Sequence, residues 1–203
     1  MKIKVEPSFL ITLAVFFSAG DIVFTLIMLL SALVHEAGHI FVIRIFKIKI
    51  KALNLGLFGG TLYLDSKFTS YKKDFFVALS GSALNFVLAV ILFIVLRFYF
   101  SYHLFFFFLS NLFYAIFNLL PITNLDGGEA LKALLLMKKE PFQVERLIYV
   151  VTRLTLFFLA CAGLYLVTLS SFNVSLFVLL LLLYAESSYG HIISGYKFCR
   201  SAS

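Results

Sequence analysis

Long runs of apolar side chains constrain this chain more than any other feature of its sequence. A helix needs roughly 20 apolar residues to cross the hydrocarbon core of a bilayer, and several runs here reach that length. The composition agrees, because 62% of the residues are hydrophobic and only 13% are charged. A soluble domain of this size would need more polar side chains to cover its core. The sequence therefore predicts an integral membrane protein.

Six apolar segments divide the chain into predicted membrane spans. The first is short, and its basic residues Lys2 and Lys4, together with the later Ser18-Ala19-Gly20, also resemble a cleaved signal peptide. We favour a retained helix there, because a second apolar segment follows at once. The predicted fold class is an all-α membrane protein with about six transmembrane helices, forming a single domain over residues 1–203. The predicted spans are residues 8–19, 22–46, 75–97, 104–121, 148–169 and 172–194.

Lysine and arginine are distributed unevenly between the predicted loops. The amino terminus, the segments 47–74 and 132–147 and the carboxyl terminus hold nearly all of them, whereas the opposite loops hold only Arg97. Because cytoplasmic loops carry the excess of basic residues, both termini are predicted to lie in the cytoplasm. The net charge of +7 then reflects membrane topology, and no nucleic-acid partner is expected. In this topology the second and fourth spans both run from outside to inside.

The long inner segment 47–74 is not uniformly polar. Residues 48–57 and 61–64 are short, largely apolar runs that flank Phe58-Gly59-Gly60. Short runs of this kind around a glycine turn are typical of paired strands. We therefore predict a short β-hairpin or re-entrant loop between the second and third spans.

The second span contains the motif His35-Glu36-Ala37-Gly38-His39. Residues four apart lie on the same face of a helix, so both imidazoles can reach one metal ion while Glu36 contacts a water bound to that metal. An ionisable side chain inside a span costs free energy unless it is ion-paired, bound to a metal or in contact with water. Such a side chain therefore indicates a functional site. The alternative interpretation is a His–Glu hydrogen-bonded pair that joins helices.

A catalytic zinc site usually has three protein ligands, so one more is needed beside the two histidines. Asp126 is the leading candidate because it follows Pro121, which interrupts the fourth span, and because both motifs fall toward the cytoplasmic ends of their spans. The alternative for Asp126 is the N-cap of a helix after a proline turn. The rival ligands are Glu129, expected in the first turn of a helix, and Glu186 and His191 near the inner end of the last span.

Four motifs in this order resemble those of the site-2 protease family of intramembrane metalloproteases. They are HExxH from His35, Phe58-Gly59-Gly60, Gly81-x-x-x-Asn85, and the run from Asn118 through Pro121 to Asp126-Gly127-Gly128. The resemblance covers nearly the whole chain. Within the family, the chain is most similar to the stage IV sporulation protein FB subgroup. That subgroup trims a membrane-tethered sigma-factor precursor. It implies one Zn²⁺ ion held by His35, His39 and Asp126, with Glu36 as general base, six spans and a cytoplasm-side active site.

The predicted function is intramembrane proteolysis of a membrane-embedded or membrane-tethered protein, with zinc as the cofactor. Asn85 or Asn118 is expected to donate a hydrogen bond to the developing oxyanion or to the substrate backbone, although both also fit interhelical hydrogen bonding. The hairpin, with Gly59 and Gly60, offers an edge on which an unwound substrate lies as an added strand. The expected partners are the lipid bilayer, the substrate and a regulatory membrane protein.

Two other functions are compatible with the same residues. Some zinc carriers place HExxH-like motifs in a span, but they need further ligands on a neighbouring helix, and this chain has only four histidines. The other is an inactive pseudoprotease that binds membrane segments, and the intact Glu36 argues against it. Metal flux into liposomes would identify a carrier, and zinc retention without cleavage would identify a binding protein.

Overall fold

The computed structural model describes residues 2–5, 21–48, 50–56, 59–64, 70–123 and 125–169. The chain divides into two units, Met1–Leu119 and Leu120–Ser203. The first and last predicted spans, residues 8–19 and 172–194, lie outside the described residues. The count of six spans and the single domain therefore stay predictions.

Three helices form the framework of the first unit: α1 (Ile22–Ile45), α2 (Tyr71–Leu96) and α3 (Tyr102–Asn118). Each lies on a predicted span, and α1 and α2 are long and apolar enough to cross a membrane, whereas α3 is a shorter apolar helix. Asp21 caps the start of α1, where its carboxylate accepts a hydrogen bond from the Val23 N–H at 2.7 Å. Such caps satisfy N–H groups that have no partner within the helix.

The end of α1 is fixed by a backbone motif. Lys47 has a φ of 54°, in the left-handed region, and the Ile48 N–H donates to the Ile43 carbonyl at 3.0 Å. The Lys47 N–H donates to the Arg44 carbonyl at 3.1 Å, which completes a Schellman motif. Ile43 and Ile48 form a buried cluster with Val77 of α2. The Schellman motif therefore places Ile48 where it packs with Ile43 against α2, and this packing holds the end of α1 against α2.

A buried polar cluster joins the three helices of the first unit. Ser31, Asn85 and Asn111 each have 0% of their surface exposed. The Asn85 side-chain N–H donates to the Ser31 carbonyl, and that of Asn111 donates to Ser31 Oγ, both at 3.1 Å. Helices in lipid associate through packing and hydrogen bonds of this kind. Because Ser31 lies one turn before His35, the cluster also fixes the face of α1 that carries the histidines.

Three short strands accompany these helices in the order β1-β2-β3. β2 (Ile50–Gly56) pairs antiparallel with β3 (Gly59–Leu64), and β1 (Lys2–Val5) pairs parallel with β2 on its other side. β2 and β3 lie where the sequence predicts two short strands. No pattern predicts β1, because Lys2 and Lys4 indicate a basic segment that precedes an apolar span.

The described part of the second unit consists of α4 (Asp126–Leu136) and α5 (Pro141–Leu169). α5 includes a stretch long and apolar enough to cross a membrane, and it begins before the predicted span because proline favours the first turn of a helix. Leu125 is the N-cap of α4, and Asp126 is the first residue of the helix itself. The interpretation of Asp126 as an N-cap is therefore wrong, whereas Glu129 lies in the first turn as predicted.

Candidate metal centre

His35 and His39 bring two imidazole nitrogens together on one face of α1. Their side chains are only 6% and 8% exposed, and their Nε2 atoms lie 3.3 Å apart. Two nitrogen ligands at about 2.0–2.1 Å from a tetrahedral zinc ion lie about 3.3 Å from each other. The two histidines therefore have the spacing that one zinc ion requires.

A backbone carbonyl of α2 orients the second histidine. His39 Nδ1 lies 2.8 Å from the Val77 carbonyl oxygen. Because a carbonyl only accepts, Nδ1 carries the proton and donates, which leaves the Nε2 lone pair available to a metal. The Ser80 hydroxyl donates to the same carbonyl at 2.6 Å and lies 3.4 Å from His39 Nδ1. Hydrogen bonds to the far nitrogen fix the tautomer and the ring orientation of metal-binding histidines.

Two glycines allow α1 and α2 to approach each other beside the imidazoles. A Cβ atom at Gly38 would lie 2.5 Å from the Ser80 carbonyl oxygen. A Cβ atom at Gly81 would overlap His39 Nε2 and would lie 2.8 Å from His35 Cε1. The imidazole rings thus occupy the space that a side chain at position 81 would need, and only glycine leaves them in place.

Glu36 adds a carboxylate to the same helix. It is half-buried on α1, directly after His35 in sequence. The ring of Tyr114 on α3 lies 6.2 Å from the His35 ring, so a third helix borders the same region. Two imidazoles and a neighbouring carboxylate in a water-poor setting are the groups that metal-assisted hydrolysis uses.

Both asparagines predicted to contact substrate form hydrogen bonds within the first unit. Asn85 is fully buried and donates to the Ser31 carbonyl, which is the interhelical bond given as its alternative role. Asn118 is half-buried and donates to the Tyr114 carbonyl, one turn earlier on α3, at 3.1 Å. Contact with substrate stays a prediction for both residues.

The remaining predicted residues lie in other elements. Asp126 belongs to the second unit, where it opens α4 with a half-buried side chain, and its role as third metal ligand stays a prediction. Gly59 and Gly60 are the first residues of β3. The rival ligands Glu186 and His191 lie outside the described residues.

Val77 and Ser80 are the site residues that sequence reasoning does not find. A backbone carbonyl has no sequence signature, and serine in a membrane helix commonly bonds to its own backbone. The available signal is the Gly81-x-x-x-Asn85 motif, since both of its defined residues lie on the surface of α2 that contacts α1.

Several known proteins are similar to this chain. Stage IV sporulation protein FB of Bacillus subtilis (strain 168) is 34% identical over 148 residues, which are 70% of this chain and 50% of that protein. A zinc metalloprotease of Methanocaldococcus jannaschii is 29% identical over 118 residues, which are 56% of this chain and 34% of that protein. The chain thus spans half or less of the length of these relatives.

The solved structure of a site-2 protease from Methanocaldococcus jannaschii has the same fold, with a TM-score of 0.70 and 23% sequence identity. The match covers 92% of this chain and 89% of that chain.

The zinc metalloprotease relative and the spacing of the two histidine nitrogens agree on the predicted cofactor, which is zinc. The family model of peptidase family M50 matches residues 23–104 and 97–160, well over half of the chain. The resemblance to the site-2 proteases is therefore confirmed, and the chain belongs to peptidase family M50.

Proposed function

We propose that this chain is an intramembrane zinc endopeptidase that hydrolyses peptide bonds of membrane-embedded or membrane-tethered proteins. One observation carries the proposal: two buried imidazoles bring their Nε2 atoms to 3.3 Å from each other, on a helix that also carries Glu36 and that is long and apolar enough to cross a membrane. Membership of peptidase family M50 supports the same function.

The proposed ligands of one zinc ion are His35, His39 and Asp126. Two imidazoles and one carboxylate match the ligand sets of catalytic zinc, which keeps a further position for water. Asp126 follows a non-helical turn after Pro121, and such backbone at membrane depth is tolerated only where it is buried in protein or lines a wet cavity. A carboxylate at the start of α4 is therefore well suited to a polar site.

Hydrolysis inside a membrane needs an activated water and a proton carrier. When bound, zinc supplies the activation, because it lowers the pKa of a coordinated water and polarises the scissile carbonyl. Glu36 accepts the proton of the attacking water and delivers it to the leaving amine. The Val77 carbonyl holds His39 in the tautomer whose Nε2 lone pair would be available to zinc. Asn118 is the proposed hydrogen-bond donor to the developing oxyanion.

The proposed substrate-binding element is the outer edge of β3. β1 already pairs with β2, so β3 forms the other edge of the three-stranded sheet. An edge strand presents N–H and C=O groups to which an extended peptide adds through backbone hydrogen bonds. A substrate helix must unwind before its carbonyl can be attacked, and pairing with β3 at Gly59 and Gly60 would hold it in the extended form.

The proposed substrate is a precursor protein tethered to the membrane. Similarity to stage IV sporulation protein FB, at 34% identity, makes a sigma-factor precursor the first candidate to test. A regulatory membrane protein that delivers the substrate or inhibits the enzyme is the further partner that we propose.

Replacement of Glu36 by glutamine tests this function. Cells that express the wild type with a tethered precursor should yield the cleaved product, and Glu36→Gln should reduce cleavage by at least about 100-fold, since a general base contributes about 10²–10⁴-fold. Glutamine keeps the shape of glutamate, so the purified variant should retain its zinc on metal analysis. Glu129→Gln, in the first turn of α4, is the matched control and should cleave normally.

Each other outcome of this experiment has a distinct meaning. A Glu36→Gln protein that still cleaves would contradict the general-base role and the mechanism with it. A wild type that retains zinc but cleaves no precursor would indicate a binding protein, and metal flux into liposomes would indicate a carrier.

A further inference from the structure

The turn that precedes Asp126 is held by hydrogen bonds to α5. The Thr123 N–H donates to Thr152 Oγ1 at 3.1 Å, and the two threonine hydroxyl oxygens lie 2.9 Å apart. Thr152 is only 1% exposed. A hydroxyl has one donor and two acceptor positions, so Thr152 accepts the backbone N–H and still exchanges a hydrogen bond with the Thr123 hydroxyl. A partly buried N–H that lost this partner would be left without a protein acceptor, at an energetic cost.

The same turn is continuous with the first turn of α4. The Leu125 N–H donates to the Ile122 carbonyl at 3.0 Å, and Ile122 is 1% exposed. A Cβ atom at Gly128 would overlap the Ile122 carbonyl and would lie 3.1 Å from the Thr123 nitrogen. The helix therefore rests directly on the peptide between Ile122 and Thr123, and a shift of this peptide would move the start of α4 with it.

We propose that Thr152 is a positioning residue for Asp126, a role that rests on the proposed ligation of zinc by Asp126. The Thr152 hydroxyl fixes the peptide before Thr123, that peptide supports Gly128, and α4 carries Asp126 as its first residue. Loss of an outer residue that orients a metal ligand typically lowers metal affinity by about 10–100-fold. Thr152 thus acts on metal binding through the turn and through Asp126.

Thr155 provides a matched comparison on the same helix. It lies close to one turn beyond Thr152 on α5, and its Oγ1 donates to the Val151 carbonyl of its own helix at 2.9 Å. Threonine-to-valine replacement removes a hydroxyl and keeps the branched shape, so Thr155→Val removes a hydrogen bond within α5. A general effect on α5 would appear at both positions, whereas an effect through the turn would appear only at Thr152.

The test uses the full chain purified in detergent. Zn²⁺ is titrated in competition with a chromogenic chelator, and Co²⁺ is titrated while its visible spectrum, which reports ligand geometry, is recorded. Thr152→Val should weaken Zn²⁺ affinity by about tenfold or more and should change the Co²⁺ spectrum. Thr152→Ser keeps the hydroxyl and should restore both measurements, and Thr155→Val should leave both unchanged.

Three results would overturn the role of Thr152: wild-type affinity and spectrum in Thr152→Val, equal losses in Thr152→Val and Thr155→Val, or no rescue by Thr152→Ser. Asp126→Ala tests the ligand assignment separately. If Asp126→Ala binds zinc like the wild type, the assignment of Asp126 as a ligand fails, and the positioning role of Thr152 fails with it. A loss in Asp126→Ala without a loss in Thr152→Val refutes only the positioning role. If Thr152→Val does not fold, Thr123→Val replaces it; a smaller loss of affinity is then expected, and unchanged affinity contradicts the proposal.

Discussion

At the scale of single residues, the space beside the two imidazoles depends on Gly81. Gly81→Ala should displace at least one ring, because the added methyl would overlap His39 Nε2 and would lie 2.8 Å from His35 Cε1. We expect zinc affinity to fall by at least about tenfold, as measured by chelator competition, and cleavage to fall with it. Ala83→Val adds more bulk at an exposed position of the same helix and should change neither value. Wild-type zinc affinity in Gly81→Ala would contradict this arrangement of the rings.

The sequence predicts which residues form the HExxH site but not how their rings are oriented. His35, Glu36 and His39 are identified by their spacing inside an apolar span, because helix geometry alone brings residues four apart to one face. The orientation of the rings is not predicted, since it depends on the Val77 carbonyl and the Ser80 hydroxyl of another helix. Contacts of this kind follow from helix packing, which no local pattern specifies.

At the scale of secondary structure, β3 is the element proposed to receive the substrate. Gly60 lies near its start, opposite Leu55 of β2. Gly60→Val should impair cleavage in the co-expression assay and leave zinc content intact, because a β-branched residue restricts the backbone that glycine leaves free. Thr61→Val keeps a β-branched shape at the next position and should cleave like the wild type. Unchanged cleavage in Gly60→Val would count against a role for this turn in substrate binding.

Apolar length predicts the four longer helices, because the thickness of a bilayer sets the length of a span. β1 escapes prediction, whereas α4 is predicted only in part, through Glu129 in the first turn of a helix. Gly127-Gly128 favours a loop by intrinsic propensity, yet Gly128 is helical in a place where a Cβ atom would overlap the Ile122 carbonyl. β1 is a strand that pairs in parallel with distant residues, and its own sequence shows only a basic segment.

At the scale of the whole molecule, polar and apolar side chains are distributed as lipid requires. Leu33 and Phe41 are 66% and 65% exposed, whereas Ser31, Asn85 and Asn111 are fully buried. Exposed apolar side chains are stable against lipid, and buried polar side chains hold the helices together. A polar side chain within a span is retained where it forms a bond or performs chemistry. For this reason the few polar residues of the spans are the most informative part of the sequence.

The predicted orientation of the molecule rests on its basic residues. Lys47 and the other lysines of segment 47–74 follow the end of α1 that carries His39, and segment 132–147 is also basic. Because basic loops remain in the cytoplasm, the histidines are predicted to lie toward the cytoplasmic end of α1. A protease with this orientation would release its product into the cytoplasm, which suits a substrate tethered on that side.

Cysteine labelling in intact cells tests this orientation. In a chain whose Cys161 and Cys199 are replaced by serine, Tyr99→Cys and Lys139→Cys introduce single thiols at exposed positions on the two predicted sides. A membrane-impermeant maleimide should label Tyr99→Cys in intact cells and should label Lys139→Cys only after the cells are opened, because charge asymmetry places these loops on opposite faces. Preserved cleavage of a tethered precursor would show that both variants fold. The reverse labelling pattern would invert the topology and place the histidines at the external end of α1.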